Sequence, residues 1–212
     1  MPVSPYVELT KCEIRRLNSL VYTTLQQGFE HQRLTLPQAP RSPGLQQIVA
    51  CFVTIYVDGQ LRGCTGSNIA TNPLWQEVCE HAFASAFEDS RFSPLQQDEL
   101  ASLKFTISLL SPMRQLPNLG ESQLCRQLRP NQDGLMLSQQ ARKALFLPAV
   151  WASISSPKQF VSALKRKGGW PEAFWSSDID VFVFSLQAQL SSDETELTQS
   201  YNCDTRPDKL ER

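Results

Sequence analysis

Phe52-Val53-Thr54-Ile55-Tyr56-Val57-Asp58-Gly59-Gln60-Leu61-Arg62-Gly63-Cys64-Thr65-Gly66 decides the fold. The first part belongs to a β-branched and aromatic run from Ile48 to Val57, which predicts a strand. Asp58-Gly59 is a two-residue hairpin turn signal, because a type I′ turn needs positive φ at both central positions. Leu61 to Gly66 is then the antiparallel return strand, breaking at Gly66.

Working outward, Thr10-Lys11-Cys12-Glu13 fits a capping box. Ile14, Leu17, Val21 and Leu25 follow at helical spacing, and Gly28 is the expected stop. Residues 30–45 hold three prolines and Gly44 and read as an irregular loop. Asn72-Pro73 predicts a cap and first turn. Two adjacent apolar rows, led by Leu74 and Trp75, predict a deeply packed helix to Phe87, with Glu77, His81, Ser85 and Glu88 on its polar side. Glu88 to Pro94 is a polar turn. Leu103 to Leu109 alternates as a half-buried strand, and Glu121 to Leu128 reads as a short helix. Gly134–Leu137 and Ala144–Leu147 form a second hairpin. Ser156-Pro157 opens a helix that Gly168-Gly169 ends, and Val181–Phe184 is a last strand. From Ser191 the chain is polar, which predicts a mobile tail over residues 191–212. Helices and hairpins without βαβ alternation mean α+β with a largely antiparallel sheet.

The chain has 212 residues and a formal net charge of −1, which argues against extensive nucleic-acid binding. No apolar run reaches the roughly 18 residues of a membrane span, and the first residues lack the apolar core of a secretory signal. The expectation is a cytoplasmic protein with six reduced cysteines. None of them falls in C-x-x-C spacing, so no zinc site is legible.

Cys64 is the sharpest chemical candidate. It lies between Gly63 and Gly66, two residues after Arg62. Glycines there permit close ligand approach, and successive amides could form an anion-binding nest. A cationic neighbour lowers a thiol pKa and makes a nucleophile. The competing reading is a small packed residue, a bulge shaped by two glycines, and a surface arginine. Asp89 and Arg91 suit either a cleft or a structural ion pair. His81, one turn after Glu77, is either an oriented general base or half of a surface pair. Lys165-Arg166-Lys167 complements a helix end, or with Trp170 offers a phosphate or RNA contact. Gly63-Cys64-Thr65-Gly66 also matches a bare G-x-x-G, but a strand leads into it where KH domains have a helix. No Ser/His/Asp arrangement and no phosphate-binding glycine pattern is present.

Phe52-Val53-Thr54 with the segment 58–66 resembles the signature of the AMMECR domain family, whose bacterial members are called AmmeMemoRadiSam system protein A. Phe87-Glu88-Asp89-Ser90-Arg91-Phe92-Ser93-Pro94 resembles the family's second block, and Phe105–Leu110 its following strand. Asp133-Gly134-Leu135, Leu147-Pro148-Ala149-Val150-Trp151 and Phe160–Trp170 resemble its C-terminal blocks. The similarity runs from Leu9 to Leu186.

The resemblance implies a single α+β domain over residues 9–190, of two unequal, intimately packed lobes and with no built-in cofactor or metal. It implies companions, a Memo-like protein and a radical SAM protein, but no reaction. Two departures stand out. Thr65 replaces the family's usual isoleucine, which predicts a hydrogen bond where an apolar contact would be. Lys165 stands where a cysteine is frequent, which argues against a dithiol mechanism.

Two functions follow. In the first, Cys64 is a nucleophile, Arg62 or Arg91 holds an anionic substrate, and His81 or Asp89 is the acid/base. In the second, Arg62, Gly63, Thr65, Gly66 and Arg91, with the Asp89–Pro94 turn, bind a small anion, a partner protein or RNA without catalysis.

Overall fold

The hairpin forms as its turn residues dictate. Asp58 and Gly59 both take positive φ, at 50° and 76°, and join β1 (Cys51–Val57) to β2 (Gln60–Gly66). In the computed structural model, which describes residues 7–192, these are the first strands of a seven-stranded sheet. The sheet path is β2-β1-β3-β7-β5-β6, with β3 Leu103–Leu110, β5 Asp133–Gln139, β6 Arg142–Phe146 and β7 Asp180–Ser191. The short β4 (Arg114–Leu116) pairs with β7 beside this path. Every pairing is antiparallel, and the four helices interrupt the strands without βαβ units, so the α+β expectation holds.

β7 is the seam. Its second half pairs with β3, and its first half with β5 and β4. Two hydrophobic cores result. The first packs α1 (Lys11–His31) and α2 (Leu74–Phe87) on β1 and β3 through Leu17, Val21, Val53, Val78 and Ile107. The second packs α3 (Glu121–Gln127) and α4 (Pro157–Lys167) on β5 and β7 through Leu135, Val181, Phe160 and Leu164. Trp151 stacks on Phe160 at 3.9 Å between ring centroids. Among the described residues, no helix is long and apolar enough to cross a membrane.

Several local expectations need correction. α1 does not stop at Gly28 but runs to His31, with Gln32 left-handed at the cap. Gly28 is instead where α2 crosses, since a Cβ there would lie 2.5 Å from the Phe87 ring. Asn72 does not cap α2. Glu77 reaches back and accepts the Thr71 and Asn72 N–H groups at 3.0 and 3.1 Å. The polar side of α2 is only partly solvated: Glu77 and Ser85 are buried, His81 is half-buried and Glu88 is exposed. β7 extends well past Phe184 to Ser191, and Ser192 is buried, accepting the Phe105 N–H. The rest of the expected tail lies outside the described residues. Cys51, Cys64, Cys79 and Cys125 are free thiols, whereas Cys12 is disulfide-bonded, which corrects the expectation of reduced cysteines throughout.

The basic run before Gly168 is not a patch. Lys165 is fully buried and donates to Glu121 Oε2 at 2.7 Å and to the Glu172 and Phe174 carbonyls. Lys167 folds back on the Leu145 carbonyl and the Phe146 ring. Trp170 is buried with its indole N–H on Gln139, so it offers no stacking surface.

Candidate functional site

β2 is an edge strand, and its outer edge is closed by the turn after α2. A register shift between Ile55 and Tyr56 leaves Arg62 as the extra residue of a bulge. Its side chain turns across that edge. Nε and Nη2 donate to the two Glu99 carboxylate oxygens at 2.7 and 2.9 Å, and Nη1 and Nη2 donate to the Ser93 and Pro94 carbonyls. The same guanidinium holds the Glu99 carboxyl below its ordinary range. Four of five guanidinium N–H donors are occupied, so Arg62 is a rivet for the 93–99 segment.

Cys64 is held by its backbone. Its N–H donates to Asp89 Oδ2 at 2.9 Å, and its C=O accepts from Arg91 Nη2 at 3.0 Å. Arg91 also grips the Asp89 carboxylate through Nε and Nη2 at 2.9 and 2.6 Å. The Arg91 hydrogen bonds, with the Cys64 N–H behind them, outweigh burial and keep the Asp89 carboxyl far below the usual carboxylate range. Both Asp89 carboxylate oxygens are thus engaged, by Arg91 and by the Cys64 N–H.

The expected anion nest is absent at Cys64 and Thr65. Gly63 and Gly66 lack positive φ. The Cys64 N–H belongs to Asp89, and the Thr65 N–H donates to Ser85 Oγ at 2.8 Å. The glycines serve close packing. A Cβ on Gly63 would lie 1.9 Å from the Ser85 carbonyl oxygen, and one on Gly66 would lie 2.3 Å from the Phe52 ring.

Ser85 was not a candidate from the sequence, yet it ties α2 to the hairpin. Its hydroxyl receives the Thr65 N–H and donates to the Val53 carbonyl at 2.8 Å. Thr65 Oγ1 donates to the His81 carbonyl at 2.9 Å, which is the hydrogen bond expected of threonine in place of isoleucine. The His81 ring turns away from this cluster, with Nε2 3.1 Å from Glu77 Oε2 beside the 71–72 loop. The Cys64 thiol is part-exposed on the outer sheet face, opposite Thr54, whose hydroxyl donates to Sγ at 3.2 Å.

A second site is built from segments the sequence does not link. A cleft of about 780 Å³ opens where the two halves of the sheet meet along β7. Ile48 stands on it just before β1 and Ile69 just after β2, Met113 just before β4, Met136 on β5 and Phe182 on β7. Ile48 and Ile69 are 60% and 56% exposed, high for side chains of this kind. Asn68 Nδ2 points at the Met113 and Met136 sulfurs, at 3.7 and 3.5 Å. Lys143, Ser138 and Asp180 line one end. Cys64 does not line the cleft. Among the described residues, no group of three or more His, Cys, Asp or Glu could hold a metal.

Comparison with known proteins agrees with this architecture. A crystal structure of an uncharacterized protein, PH0010 from Pyrococcus horikoshii, superposes with a TM-score of 0.71 at 24% identity, covering 81% of this chain and 87% of that one, and shares the fold. A protein of Aquifex aeolicus is 29% identical across 82% of this chain and 90% of its own length. Protein NEQ441 of Nanoarchaeum equitans is 34% identical across 64% and 77%. The AMMECR1 family model matches residues 19–189, and the chain belongs to the AMMECR1 family.

Proposed function

We propose that this protein is a non-catalytic binding protein whose working site is the interlobe cleft. In this reading the Leu61–Gly66 strand and the Asp89–Pro94 turn are its rigid frame. One observation carries the reading: the amides of Cys64 and Thr65 and the Arg62 guanidinium are engaged within the protein, and Arg91 turns Nε and Nη2 onto Asp89 and the Cys64 carbonyl. The cleft, by contrast, combines apolar walls with a few polar groups, at a volume within the about 300–1,000 Å³ usual for ligand sites. A protein that holds a small molecule for other enzymes also accommodates Memo-like and radical SAM companions.

The test uses the methionines. The chain has three, and two of them, Met113 and Met136, line the cleft. Methyl-¹³C-methionine NMR with phenol as a neutral apolar probe should shift both resonances, in the wild type and in Cys64→Ser alike. If neither resonance moves at tens of millimolar phenol, the cleft is not a binding site.

A second reading keeps Cys64 as a nucleophile, favoured by its part-exposed Sγ and the Thr54 hydroxyl donating to it. It requires an acid/base beyond Asp89, and alkylation rates test it.

A further inference from the structure

The strand register of the second lobe arranges the charged end of the cleft. Ser138 on β5 stands opposite Lys143 on β6 and opposite Asp180 on β7, so the three form one cross-strand row. The adjacent row on the same face is Leu145, Met136 and Phe182. The alternate residues Leu135, Leu137, Val181 and Val183 face the core. Lys143, Ser138, Asp180, Met136 and Phe182 therefore share one wall of the cleft, with a cation, a hydroxyl and a carboxylate beside an apolar strip.

Neighbouring strands lie about 4.8 Å apart, so the Lys143 and Asp180 backbones flank Ser138 at a separation of about 10 Å. Among the described residues neither charge is in an ion pair. Asp180 Oδ1 accepts from Gln115 Nε2 at 3.0 Å, which steadies the carboxylate and leaves Oδ2 open.

A purely anionic ligand in this row would meet Asp180, and a purely cationic one would meet Lys143. A neutral apolar ligand would desolvate both charges without pairing either. A zwitterion satisfies both.

Resting on the reading of the cleft as the working site, we propose that it binds a free α-amino acid with an aromatic or large apolar side chain. The carboxylate pairs with Lys143 and the ammonium with Asp180 Oδ2, and the Ser138 hydroxyl lies between them. The side chain lies along Met136 and Phe182 toward Met113. Thioethers are polarizable and make favourable contacts with ring edges, and Asn68 holds both sulfurs in place.

The experiment is calorimetry and methyl-¹³C-methionine NMR on the full chain, titrated with L-phenylalanine, N-acetyl-phenylalanine, phenylalanine amide and phenol. L-Phenylalanine should shift the Met113 and Met136 resonances saturably. Blocking either charged end should weaken binding about tenfold, the loss of one charge-assisted hydrogen bond. Lys143→Met and Asp180→Asn, both at exposed positions, should each weaken L-phenylalanine binding to a similar degree, with the melting temperature unchanged. The proposal is overturned if L-phenylalanine binds no tighter than phenol, or if both substitutions leave its affinity unchanged. Methionine shifts with phenol but no preference for L-phenylalanine would reject the zwitterion and keep the cleft. Silence toward both probes would reject both.

Discussion

The Asp89 carboxylate receives the backbone N–H of Cys64 at 2.9 Å, and through Arg91 the same turn also holds the Cys64 carbonyl. An edge strand exposes unpaired amides and carbonyls that invite foreign strands. Here a carboxylate and a guanidinium cap one such pair, and Arg62 to Glu99 pins the segment that follows. Residues that look like an active-site loop thus secure the edge of the sheet to α2.

Asp89→Asn should destabilise the protein by about 2 kcal/mol at neutral pH, since hydrogen bonds to a charged group are lost from a site 6% exposed. The pH dependence has a definite sign. Asp89 titrates lower folded than unfolded, so its contribution is present above the unfolded value of about 3.9 and is lost as pH falls toward the folded one. Urea unfolding should show the gap between wild type and Asp89→Asn constant above about pH 5 and narrowing below pH 4. A gap that does not change with pH would remove the charge from the account.

Gly63→Ala should cost about 3 kcal/mol, because the new Cβ would overlap the Ser85 carbonyl, which is helix backbone and cannot rotate aside. Gly59→Ala meets no atom within 4 Å and pays only for its φ of +76°, about 1 kcal/mol. Chemical denaturation of the two variants separates packing from conformation. A milder effect at Gly63 than at Gly59 would mean that α2 and β2 are not locked together.

The parts of the fold carried by local chemistry were legible: Asp58-Gly59, the Thr10 capping box, and Ser156-Pro157, where Ser156 Oγ accepts the Gln159 N–H. Ser85 and Glu77 were not: the Ser85 partners are backbone groups 20 and 32 residues away, and Glu77 turns back on the Thr71 and Asn72 amides of the loop before its own helix, where Asn72 reads as the cap. In the sequence β7 reads as a short strand because its inward face changes phase. Val181 and Val183 point into one core and Leu190 into the other, across a register shift at Leu109/Leu110. The Lys143–Ser138–Asp180 row comes from three strands and the cleft from more segments still, so no sequence spacing records either.

Lys165→Met should destabilise by about 3 kcal/mol, as expected when one partner of a buried ion pair is removed. The ammonium is 1% exposed and serves Glu121 and two carbonyls, all of which would lose a donor. Lys167→Met, at an exposed position on the same helix, should stay within about 0.5 kcal/mol. Thermal melts of the two variants decide whether the basic run is one buried anchor beside surface charges.

Alkylation by iodoacetamide, followed cysteine by cysteine with mass spectrometry, should rank the free thiols by burial. Burial pushes the Cys79 thiol up to about 11 and Cys51 higher still, so both should react only on unfolding. Cys125, half-covered and raised by burial, should react slowly, and Cys64 first. On the binding reading, Cys64→Ser costs less than about 1 kcal/mol and leaves the Met113 and Met136 response to phenol intact. The rate profile of Cys64 against pH is the deciding measurement. A midpoint near the roughly 8.5 of a free thiol leaves Cys64 a packed residue of the sheet face, and a midpoint a full unit lower would make the nucleophile the better reading.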